Sequence, residues 1–115
     1  MKNRKTESRT AEAFLYSGRL NPQWRLTPAQ LKHWIQHWDE APFSERQAGR
    51  LSVLGYTGCV LHYDEDSYWI IFNGVVSFYK KEKVINKKDS NRQLEQWLLG
   101  TAPDEVQKAV ATAAT

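Results

Sequence analysis

Two apolar runs meet at Asn73-Gly74 in the stretch Tyr68 to Lys81, YWIIFNGVVSFYKK, and this meeting is the strongest local signal in the chain. A type I′ turn needs positive φ at both central residues, which Asn and Gly adopt at least cost. The pattern therefore predicts a hairpin with Phe72 opposite Val75, Ile71 opposite Val76, Trp69 opposite Phe78 and Tyr68 opposite Tyr79. Alternation puts Trp69, Ile71, Val76 and Phe78 on one face, and Tyr68, Ile70, Phe72, Val75, Ser77 and Tyr79 on the other. Neither face is polar, so the sheet is covered on both sides or offers one side to a partner.

Helical periodicity appears on either side of this hairpin. Thr27, Pro28 and Gln30 form a capping box, and Leu31, Trp34, Ile35 and Trp38 recur at the spacing of one buried stripe until Pro42. Ser44 with Gln47 repeats the cap and predicts a second short helix to about Leu54, with Gly55 as its stop. Thr57 to Tyr63 reads as a strand joined through Asp64-Glu65-Asp66 to Ser67, with Tyr63 facing Tyr68 and Leu61 facing Ile70. That register lines up Tyr63, Tyr68 and Tyr79 across one face. A short strand at Val84-Ile85 follows, then a helix capped by Ser90 and Gln93 with Leu94, Trp97 and Leu98 buried. A last helix over about 103–111 buries Val106 and Val110. Ala13 to Leu20 reads as an edge strand ending at Asn21-Pro22.

These elements predict an α+β fold: a three-stranded antiparallel meander over about 57–81, flanked by two N-terminal helices and one or two C-terminal helices. Residues 1–12 read as a mobile basic tail and 13–112 as one domain, a size that buries a core without disulfides or a structural metal. No stretch of the 115 residues has the apolar length a bilayer requires, and Met1 to Thr10 is too charged for a signal peptide. With Cys59 as the only cysteine, the expectation is a cytoplasmic protein without a disulfide.

The net charge of +3 is mild but uneven. Residues 1–50 carry nine Lys or Arg against five acids, and Lys80 to Arg92 carries six against two. A basic band of Lys80, Lys81, Lys83, Lys87, Lys88 and Arg92 beside an aromatic sheet face suits a nucleic-acid partner, with cations meeting phosphates and rings stacking on bases. The basic tail at Lys2, Arg4, Lys5 and Arg9 is a second contact. The same face, with Tyr63, Tyr68, Ile70, Phe72 and Tyr79, equally suits a protein interface or a homodimer, because aromatic anchors are what interfaces concentrate. Both readings make the protein a binder more readily than an enzyme, and neither involves a membrane.

The residues offer catalysis little. His33 and His37 stand one helical turn apart, half a zinc site, and Cys59 and His62 stand three apart, but the latter two point to opposite faces of their strand. The same geometry argues against a Cys59–His62 nucleophile and base. Asp64, Glu65 and Asp66 read as a solvated turn, since no glycine-rich loop or distal Glu completes a calcium site. No metal, cofactor or catalytic residue is therefore expected, and a small nuclease or toxin is the remaining alternative. Over roughly Ser44 to Leu99 the order helix, meander, helix, with Lys87-Lys88 before the capped helix, resembles the double-stranded RNA-binding domain in element order. Asp89 interrupts that basic cluster and the family's glycine-rich approach is lacking. Small basic messenger-cleaving toxins also combine two helices with a meander, without a residue pattern matched here.

Overall fold

The computed structural model describes residues 9–16, 21–48 and 55–114. Strands β1 (Thr10–Tyr16), β2 (Gln23–Arg25), β3 (Gly55–His62), β4 (Ser67–Phe72), β5 (Val75–Lys80) and β6 (Lys83–Lys88) form one sheet with every pair antiparallel, in the order β2-β1-β3-β4-β5-β6. Helices α1 (Pro28–Glu40), α2 (Gln93–Gly100) and α3 (Asp104–Ala114) contribute to a core on one face of it.

The sheet corrects the expected three-stranded meander. Six strands pair, and only one helix among the described residues precedes β3. The expected second helix fails at its first turn. Ser44 N–H donates to the Asn86 carbonyl at 2.9 Å, and Phe43 bridges to Lys87, so this segment pairs with the outer side of β6. The Ser44 hydroxyl accepts from Arg46 N–H at 3.0 Å, a local turn in place of a helix cap. The remainder of that expected helix, 49–54, lies outside the described residues, as do residues 1–8 of the expected tail. Thr10 to Glu12, also read as tail, belong to β1, and β1 is internal where an edge strand was expected. This order also ends the likeness to the double-stranded RNA-binding domain, since that likeness rests on a three-stranded meander.

The β4–β5 hairpin has the register that Asn73-Gly74 requires, with Phe72 opposite Val75 and Tyr68 opposite Tyr79. Asn73 and Gly74 both have positive φ. The β3–β4 register is one residue from the expected one: His62 pairs with Tyr68 and Leu61 with Trp69. Asp64 causes this. Its carboxylate accepts from Asp66 N–H at 2.9 Å and from the Ser67 hydroxyl at 2.6 Å, which tightens the turn and draws Ser67 back to the Tyr63 N–H.

Alternation then decides the faces. Ala11, Ala13, Cys59, Leu61, Trp69, Ile71 and Val76 are buried beneath the helices. On α1 the predicted capping box forms: Gln30 N–H donates to Thr27 Oγ1, and Thr27 N–H donates to Gln30 Oε1. Its Trp34 and Trp38 meet Trp69 edge-on, with ring centroids 5.7 and 6.2 Å away. Leu94 and Leu98 of α2 and Val106 and Val110 of α3 complete this layer. Between β1 and β3 the register shifts around Gly58, whose φ is +109° and where a Cβ would lie 2.6 Å from the Ile71 carbonyl oxygen, so only glycine fits the bulge.

Candidate functional site

On the face away from the helices the register places His62, Tyr68, Tyr79 and Val84 in one row across β3 to β6. Tyr68 and Tyr79 stack in parallel with centroids 5.2 Å apart, and the Tyr79 hydroxyl accepts from Gln47 Nε2. Tyr63 is not in this row. The one-residue shift sends it toward the core, where it meets Trp69 at 5.5 Å and carries the Arg9 guanidinium over its ring at 4.6 Å. His62 takes its place, 3.5 Å from the Glu12 carboxylate, so His62 and Tyr79 share a face that the expected register had divided between them. Ile70 and Phe72 are half-buried, and Ser77 is closed in, its hydroxyl accepting from Ala48 N–H at 2.8 Å and donating to Asn86 Oδ1 at 2.6 Å.

The six cations of the expected basic band have different fates. Lys87 lies on the helix side of β6 and is 8% exposed. Its Nζ donates to the carbonyls of Trp38 at 2.9 Å and Asp39 at 3.3 Å while sitting 4.6 Å over the Trp38 ring, so it caps the C-terminal end of α1, where helix carbonyls lack partners. Arg92 is tied in a fork to Glu95, with Nε–Oε1 at 3.1 Å and Nη2–Oε2 at 2.9 Å. Lys80, Lys81, Lys83 and Lys88 are exposed. Three stand at the β5–β6 turn and Lys88 at the other end of β6, about 17 Å along an extended chain.

Glu95 is fully buried and also accepts from the Tyr56 hydroxyl, which lies 3.4 Å from Cys59 Sγ. Burial pushes the Cys59 thiol up to about 12 and raises the Tyr56 hydroxyl well above its ordinary value, so neither ionises near neutral pH. Asp89 supplies the cap expected of Ser90: its carboxylate accepts from Leu94 N–H at 2.7 Å and Glu95 N–H at 2.9 Å. Burial raises its pKa against the pull of those bonds. Asn91 and Arg92 turn through positive φ, 56° and 58°, and that conformation delivers the guanidinium to Glu95. This network is closed on itself, with every carboxylate answered, and it anchors α2.

His33 and His37 stack at 4.1 Å and His33 stacks on Trp97 at 4.5 Å, lining a cleft of about 300 Å³ with Glu40, Gln93 and Leu94. Cys59 is buried in the core and His62 is exposed on the other face, as alternation required. Among the described residues no three His, Cys, Asp or Glu side chains are grouped to hold a metal ion. No described helix is long and apolar enough to cross a membrane.

The large apolar side chains left exposed among the described residues are Phe43 at 74%, Ile85 at 42%, Val84 at 39% and Tyr68 at 36%. All four border β6 or the row that ends on it. Phe43 and Ile85 stand on the helix side of the strand, paired with Lys87 and Phe78; Val84 and Tyr68 stand on the other side. Sequence reasoning did not select Phe43, Val84 or Ile85. The signal for them was an apolar Val-Ile pair set between lysines, which a globular chain has little reason to keep at an edge strand. No protein-family model matches the chain, and no curated protein or solved structure matches it, so the geometry of this rim carries the functional reading.

Proposed function

We propose that this protein is a cytoplasmic, non-catalytic binding domain that docks an acidic segment of a partner protein on the rim around β6. The observation that carries the reading is the gathering of Phe43, Val84 and Ile85 on the two sides of one edge, between exposed lysines, with Tyr68 two strands inward in the row that ends on Val84. Scattered exposed apolar residues are ordinary, whereas a gathered set rimmed by charge is the pattern of an interface. The nucleic-acid reading loses support from the same geometry. Lys87 and Arg92 have internal partners, and the remaining four cations divide between the two ends of a strand instead of tracking a phosphate backbone. Self-association is disfavoured too, because two copies paired along β6 would set lysines against lysines. The buried, unreactive Cys59 suits a reducing compartment.

Selection of a random peptide library against the full chain tests this reading. Enriched peptides should combine acidic and apolar residues, and their binding should fall at least tenfold in the Phe43→Ser, Ile85→Ser double variant. Enrichment that survives the double change, or tight binding of RNA or DNA oligonucleotides with no peptide enriched, would overturn it.

A further inference from the structure

The backbone of β6 shows how such a segment would be held. A two-residue turn at Lys81-Glu82 sets Lys80 opposite Lys83, so along β6 the residues Lys83, Ile85 and Lys87 direct their N–H and C=O groups inward to β5, and Val84, Asn86 and Lys88 direct theirs outward. The outward bonds that exist obey this alternation: Lys88 N–H donates to the Pro42 carbonyl at 2.7 Å, and the Asn86 carbonyl accepts from Ser44 N–H at 2.9 Å. There the chain leaves the outward side of β6 and crosses onto the sheet face away from the helices, where Arg46 Nη2 donates to the Asn73 carbonyl, Gln47 Nε2 to the Tyr79 hydroxyl and Ala48 N–H to the Ser77 hydroxyl. Among the described residues nothing answers the outward N–H and C=O of Val84 or the N–H of Asn86. Among the described residues, the edge is therefore extended by its own chain at one end and open at the other.

Building on the reading of this rim as a docking surface, we propose that the partner segment adds to the sheet as a further strand along Lys83–Asn86. Its backbone would pair with Val84 and Asn86, and its side chains, alternating, would fall on Phe43 and Ile85 on one side and on Val84 and the Tyr68–Tyr79 stack on the other. Charge selects the occupant. Lys80 faces the Asp64 carboxylate of the neighbouring turn, but Lys81, Lys83 and Lys88 still outnumber Glu82 along the edge itself, so an alternating acidic and apolar segment is complementary. The chain's own amino-terminal stretch, with Lys2, Arg4 and Lys5, carries the wrong sign, as does a second β6.

The decisive variant is Val84→Pro. Proline removes an N–H, and at position 84 that N–H points out of the sheet, so the β5–β6 ladder is left whole. A fluorescein-labelled decapeptide alternating Glu and Val serves as probe, with an alternating Lys and Val peptide and a ten-nucleotide RNA as controls, read by anisotropy against the full chain. The Glu-Val peptide should bind saturably and weaken with salt, the Lys-Val peptide should not bind, and Val84→Pro should lower affinity at least tenfold with an unchanged circular dichroism spectrum. Should that variant unfold, Lys83→Glu with Lys88→Glu takes its place and should transfer binding to the Lys-Val peptide. Absence of Glu-Val binding overturns strand addition. Binding that Val84→Pro leaves intact but Phe43→Ser with Ile85→Ser removes also overturns it, while sparing the rim itself. Binding of the RNA in preference to both peptides overturns the rim reading together with strand addition.

Discussion

The sheet has two edges, and they are finished differently. At β2 the edge is three residues long, its central side chain Trp24 is 6% exposed, and the indole N–H donates to Thr101 Oγ1 at 2.8 Å, locking the strand to the end of α2. At β6 the edge is twice as long, its Val84 and Ile85 are 39% and 42% exposed, and among the described residues only its last part is covered, by Pro42 to Ser44. A short, buried edge is one way a protein avoids pairing with other chains, and flanking lysines are another. On the strand-addition proposal the lysines permit pairing with one charge class, so the contrast would be between an edge closed by packing and an edge gated by charge.

The largest effect expected from breaking this contrast is at the closed edge. Trp24→Ala removes a buried indole and the bond it donates to the Thr101 hydroxyl, which keeps its own bond to the Leu98 carbonyl, and should cost about 3–5 kcal/mol in a urea titration. It should leave binding at β6 unchanged wherever the variant is folded. Next is Arg92→Met, which leaves Glu95 buried without its cation. The loss should be about 2–4 kcal/mol, tempered because the guanidinium side chain is half-exposed and water can follow it in. Lys87→Met should be milder, about 1–2 kcal/mol, since it removes the ammonium from two carbonyls at the end of α1 but keeps the stem over Trp38. Its neighbour Lys88→Met should leave stability unchanged and weaken the acidic probe. Ile85→Ser should also shift stability little, by no more than about 0.5 kcal/mol, with a clear loss of peptide affinity. These pairs sharpen the comparison, because stability and binding should respond to different residues of one edge.

What could be read from the residues follows the range of the interactions that decide each element. The β4–β5 hairpin and α1 were legible because Asn73-Gly74 and the Thr27 capping box are local devices, complete within a few residues. The Tyr63 position was not, because one carboxylate, Asp64, chose between two turns differing by a single residue and so reversed which side chain joins Tyr68. The start of β1 and the whole of β2 were obscured for another reason, the pattern having placed a strand in this part of the chain only over Ala13 to Leu20. Ala11, Ala13 and Glu12 are weak strand formers, held there by partners about fifty residues away in β3 and by α3 packed over the small alanines. Similarly, Lys87 and Lys88 look identical in a charge count. Their opposite fates come from alternation along a strand that local pattern reduced to Val84-Ile85, and from helix α1 being within reach of only one of them.

The central claim is that the outward backbone of β6 is open and takes a partner strand. Residue-resolved amide hydrogen exchange on the full chain, with and without the Glu-Val decapeptide, tests it most directly. Without peptide, the amides of Ile85 and Lys87 should be protected by β5 and those of Val84 and Asn86 should exchange freely. With peptide, Val84 and Asn86 should become protected while the amides of β2 do not change. Protection of Val84 in the free protein, or peptide binding that leaves its exchange rate untouched, would contradict the account.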